Sequence, residues 1–87
     1  MLNPLTHLDT ESSRPQPLLS LRPGQVGRVH QAPDLPMLAA LGVRQGKQLH
    51  YVSRSLWQGP LLCRVEGRTF ALDQALADQI QLIEVVE

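Results

Sequence analysis

Residues 38–52, LAALGVRQGKQLHYV, decide how this chain is read. Leu35, Leu38, Ala39 and Leu41 recur at three- and four-residue spacing, which predicts one apolar face of a helix from Leu35 to Leu41. Gly42 stands where a helix stops, because a left-handed residue just past the last turn costs glycine nothing. Val43 follows as the apolar residue that folds back over that turn. Gly46 marks a second turn, and from Lys47 to Arg54 the pattern becomes the alternation of a strand. Leu49, Tyr51 and Ser53 are expected on one side, with Gln48, His50 and Val52 on the other.

Outward from that hinge, the other elements are short. Upstream, Pro23-Gly24 is a strong turn signal before a strand from Gln25 to Gln31. In that strand Gly27 and Val29 face inward, and Gly27 lets another element approach closely. Asp34 is the expected N-cap of the helix, with Pro36 in its first turn. Downstream, Leu61 to Glu66 alternates, placing Leu61, Cys63 and Val65 inside and Leu62, Arg64 and Glu66 outside. Gly67-Arg68 is expected to be the tight turn into a strand from Thr69 to Leu72, with Phe70 and Leu72 inward. Asp73 caps a helical turn from Gln74 to Asp78, and a last strand from Ile80 to Val86 returns to the start of the sheet. About five short strands with one short helix predict a small closed antiparallel barrel. Residues 1–17, with Pro4, Pro15 and Pro17, form the expected flexible tail, in which Leu2, Leu5 and Leu8 would suit a short helical turn. The domain is expected over residues 18–87.

The totals agree with one small domain. The chain has 87 residues, 43% hydrophobic, with only Tyr51, Trp57 and Phe70 as aromatics, so the core must be aliphatic. Formal net charge is zero, yet Arg22, Arg28, Arg44, Lys47, Arg54, Arg64 and Arg68 face only Asp34 and Glu66 between Leu18 and Leu72. After Leu72 every charge is acidic. A basic body of this kind suits an acidic partner surface. The single Cys63 excludes an internal disulfide. No apolar run approaches the ~20 residues of a spanning helix, and the N-terminus lacks a secretory pattern. A cytoplasmic location is expected.

Three segments together, LLSLRPGQVGRV, LAALGVRQGKQLHYVSRS and GPLLCRVEGRTFALDQALADQIQL, resemble the FeoA family of small cytosolic ferrous iron transport accessory proteins. A similar domain occurs at the end of iron-dependent repressors of the diphtheria toxin repressor type. The resemblance covers about Leu18 to Val85 and implies an SH3-like barrel. It implies a partner as well, the FeoB-type permease with its cytosolic GTPase domain, so that contact with the membrane runs through the partner only. Two features depart from the family pattern, PMLAA before Leu41-Gly42 and Trp57 in the loop from Ser55 to Gly59.

No catalytic set is legible: the serines, Cys63, His30 and His50 match no nucleophile–base spacing, and no phosphate-cradling loop ends in Gly-Lys-Ser/Thr. The expected role is therefore non-enzymatic and needs no cofactor. Iron(II) is the metal that the resemblance raises, with His30 and His50 as weak candidates that could approach across the sheet; such a site would want two imidazoles and a carboxylate. A nucleic-acid surface is not expected, since only Tyr51 and Trp57 could interleave with the arginines. The residues assigned to partner binding are Arg54, Leu56, Trp57, Leu62, Arg64 and Arg68. Trp57 is either an exposed hot spot or a lid over the barrel mouth. The alternative function is a metal-responsive or peptide-binding SH3-like module.

Overall fold

The computed structural model describes residues 14–87. The tail residues 1–13, including His7 and the Leu2-Leu5-Leu8 spacing, lie outside the described residues. The elements are β1 (Gln16–Pro17), a 3-10 turn (Leu18–Ser20), β2 (Val26–Gln31), α1 (Pro36–Leu41), β3 (Gln48–Arg54), β4 (Leu61–Val65), β5 (Arg68–Leu72), α2 (Gln74–Ala77) and β6 (Gln81–Val86). They form one antiparallel sheet of six strands in the order β1-β6-β2-β3-β4-β5. The sheet is barrel-like but does not close, and β1 and β5 remain its edges. The extra strand comes from Gln16–Pro17, which pairs with β6, so the sheet begins two residues before the expected domain start.

The hinge is built as its residues dictate. Gly42 takes φ 89° and donates its N–H to Ala39 O at 3.1 Å, and Val43 donates to Leu38 O at 2.9 Å. These two bonds are the pair that closes a helix through a left-handed residue, and Val43 is buried over the turn, as the sequence predicts. The start of α1 differs from expectation. Leu35, not Asp34, is the N-cap, with φ −117°, ψ 128° and no side-chain cap bond. The cause is Pro36, whose ring pushes the preceding residue into extended backbone and so leaves Asp34 one residue too early to cap. Leu35 therefore falls off the helical face, and it and Met37 are exposed; Leu38 alone among the residues of α1 is buried.

The core is aliphatic. Val29 from β2, Leu49 and Tyr51 from β3, and Leu61, Cys63 and Val65 from β4 are buried together with Leu18, Leu72, Ile80 and Leu82. Gly27 is buried where β6 crosses it, and a Cβ there would lie 3.1 Å from both Leu82 and Val85. Asp73 caps α2 by accepting from Leu76 N–H at 2.7 Å. The hairpin between β4 and β5 turns at Glu66-Gly67, one residue earlier than expected, with φ 52° and 79°. Two residues at positive φ match the strand twist, which is why two-residue hairpins favour this turn.

In β3 one local event overrides simple alternation. Tyr51 pairs with Cys63 but Ser53 pairs with Leu62, so Val52 is an extra residue in β3. Such a bulge flips every side chain beyond it. Ser53 leaves the inner face expected for it, and Arg54 comes opposite buried Leu61.

Candidate docking surface

The charge asymmetry resolves itself in space. Arg22 pairs with Glu87 at 2.6 Å, Arg28 with Glu84 at 2.7 Å and Lys47 with Glu66 at 3.5 Å. The acidic C-terminus thus folds back on the two arginines that flank the start of β2. Arg44, Arg54, Arg64 and Arg68 pair with no carboxylate among the described residues. All three pairs are exposed, so each contributes at most about 1 kcal/mol.

The three arginines assigned to one surface do not meet on one face. Arg64 is on the outer face of β4, level with His50 and Thr69, and its Nε donates to Thr69 Oγ1 at 3.4 Å. Arg54, re-aimed by the Val52 bulge, donates to Leu19 O at 3.2 Å. Arg68 pairs with inward-facing Val65 and reaches over to donate to Ala40 O at 2.9 Å, at the end of α1. Arg54 and Arg68 therefore stand at opposite ends of β4 and on either side of it, about 13 Å apart along the strand at ~3.3 Å per residue.

The apolar candidates do come together on one hairpin. Leu56 is 82% and Trp57 94% exposed, at the tip of the loop between β3 and β4, and Leu62 follows on the outer face of β4. Trp57 does not fold over the barrel mouth. Its exposure is set by a strained turn: Trp57 and Gln58 adopt φ 61° and 63°, and Gly59 N–H bonds back to Leu56 O at 3.3 Å. Asn and Gly are the usual occupants of such a turn, and each non-glycine residue held left-handed costs about 1–2 kcal/mol. The base of the loop is firm. Ser55 N–H bonds Pro60 O at 3.1 Å, and Gln74 Nε2 ties Gly59 O to α2 at 3.2 Å. Gly59 cannot be replaced without movement, because a Cβ there overlaps Ser55 Cβ.

The histidines do not approach each other. The β2–β3 register sets His50 opposite Val26, four residues from His30, or about 13 Å along the strand. No group of three His, Cys, Asp or Glu side chains converges among the described residues. Cys63 is fully buried, and burial pushes its thiol up to about 12, which keeps it protonated and unreactive near neutral pH. No helix among the described residues is long and apolar enough to cross a membrane.

An open antiparallel sheet, wrapped on an aliphatic core and presenting a strained apolar hairpin tip, defines a small SH3-like domain. The chain matches the FeoA domain family over residues 16–84 and belongs to it. A comparison with curated proteins gives no match. Among solved structures, the chain is similar to an iron uptake regulatory protein (FeoA) at 24% identity and TM-score 0.72, covering 80% of this chain and 96% of that one. The FeoA of Stenotrophomonas maltophilia, solved with zinc and described as an SH3 domain protein, matches at 23% identity and TM-score 0.71, covering 83% and 96%. A manganese-dependent transcriptional repressor matches at 21% identity and TM-score 0.73, covering 82% of this chain but 42% of the repressor. At these identities the likeness concerns the fold.

Proposed function

We propose that this protein is a non-enzymatic cytoplasmic accessory of ferrous iron uptake that docks on a FeoB-type permease through its β3–β4 hairpin. Family membership supports the role in iron transport. The observation that carries the docking surface is Trp57, held 94% exposed on a turn whose backbone favours other residues. Strain retained at an exposed aromatic is the pattern of a functional constraint, since the fold gains no burial from it. Leu56 and Leu62 extend the apolar surface, and Arg64 and Arg54 supply cations beside it and at the base of the loop. Arg68, at the other end of β5, lies outside this surface.

Binding to the nucleotide-loaded cytosolic domain of the cognate permease, at 0.1 M and 1 M salt, tests the reading. Replacing Trp57 by Ala is expected to weaken binding about thirtyfold, the loss of a hot spot of ~2 kcal/mol. Arg64→Ala should weaken it mainly at low salt, where the screening length is about 10 Å rather than 3 Å. Unchanged affinity in the Trp57 variant would sink the hairpin assignment.

A further inference from the structure

The cations that the hairpin leaves out gather elsewhere. Arg44 and Lys47, from the turn between α1 and β3, and Arg68, from the start of β5, line one groove of about 340 Å³ at the carboxyl end of α1. Leu41 and the two alanines at 39 and 40 contribute its exposed apolar surface above the buried Val65, and Glu66 is its one carboxylate. Helix capping accounts for only part of this arrangement. Ala40 O accepts from Arg68 at 2.9 Å, an ordinary cap. Arg44 directs its Nε and Nη2 at Ala39 O, at 3.3 and 3.2 Å, although that carbonyl already accepts from Gly42 N–H. Adjacent carbonyls thus hold two guanidinium groups side by side, and each retains further N–H donors of its five for a ligand. Lys47 completes the rim but is paired with Glu66 at 3.5 Å, so the two guanidinium groups carry its net positive charge.

We infer that this groove binds an acidic peptide segment, whose carboxylates pair with Arg44 and Arg68 and compete with Glu66 for Lys47, while an apolar side chain covers Leu41 and the two alanines. Guanidinium forks match carboxylates two N–H groups at a time. The cations are spread over two elements, which suits separate carboxylates along a peptide. A compact phosphate would meet Glu66 on the rim, and the nearest glycine amide, that of Gly42, is already bonded to Ala39 O. The inference takes from the docking reading only that the partner is a protein, and it concerns a different surface.

Titration of the full chain with hexaglutamate, followed by amide NMR shifts, tests it. The chain's formal net charge is zero, so the probe has little general attraction to it. Saturable shifts at residues 40–44 and 66–69 are expected, weakened about fivefold in Arg68→Gln and in Lys47→Gln and unchanged in Trp57→Ala. Lys47 bonds no helix carbonyl, so its variant reports on the groove even if Arg68→Gln unsettles α1. Shifts centred on Arg54 and Arg64, no saturable shift, or a tighter response to inorganic phosphate than to hexaglutamate would each overturn the assignment. The hairpin reading stands or falls separately, on permease binding by the Trp57 variant.

Discussion

The end of α1 and the tip of the β3–β4 hairpin are both turns built on positive φ, and they are opposites in every other respect. At the first, glycine occupies the left-handed position, the freed carbonyls are bonded, and Leu38 and Val43 are buried against the core. At the second, Trp57 and Gln58 hold left-handed conformations and the largest apolar side chain of the protein faces solvent. The first turn stabilises the fold. The second costs it stability, and that cost is the reason to assign it to recognition. Tyr51 and Trp57 repeat the contrast at the level of side chains, because the hydroxyl-bearing ring is buried, its OH without a hydrogen-bond partner among the described residues, while the indole is outside.

Four variants, one of them double, break or sharpen this comparison. The largest effect is expected for Leu38→Ala, which opens a cavity under the helix end and should destabilise by about 2–5 kcal/mol in urea unfolding. A loss below 1 kcal/mol would mean that α1 is not anchored by this residue. Gly42→Ala should cost about 1–2 kcal/mol, from the left-handed backbone and from a Cβ 3.3 Å from Val65 Cγ1 and Glu66 Oε1. The hairpin should respond in the other direction. Replacing Trp57 by Asn together with Gln58 by Gly supplies the favoured turn and is expected to raise stability by about 1–2 kcal/mol while weakening permease binding. If thermal melting shows no gain, the turn is not strained in solution and the argument from strain fails. Tyr51→Phe is the smallest change: removing a buried, unpaired hydroxyl should leave stability equal or raise it by up to about 1 kcal/mol. A clear loss would reveal a partner for that oxygen.

Much of the fold was legible because the deciding signals are local. Gly42 after an apolar helical face, alternation through Leu61, Cys63 and Val65, and Asp73 before Gln74 each act within a few residues, and each element formed where those residues place it. Where local signals competed, the stiffer one won. Pro36 set the helix start against Asp34, and the two-residue turn settled at Glu66-Gly67. The candidate surface was legible in its apolar half, since Leu56 and Trp57 sit in a loop closed by Gly59-Pro60 with nothing nearby in sequence to bury them. Its charged half was not. Counting arginines along the chain groups Arg54, Arg64 and Arg68, whereas the structure keeps Arg54 and Arg64 by the hairpin on different faces and sends Arg68 to the end of α1.

The amino-acid sequence by itself determined the elements after Leu21, the aliphatic core and the family, because turn chemistry and the alternation of apolar residues are short-range and survive whatever the rest of the chain does. It did not determine the short first strand, which forms only by pairing with β6. The tertiary structure alone decided which cations share a surface. That outcome depends on one extra residue at Val52, on the register of β4 with β5, and on the approach of Arg68 to the end of α1, a hydrogen bond across 28 residues that no local pattern encodes.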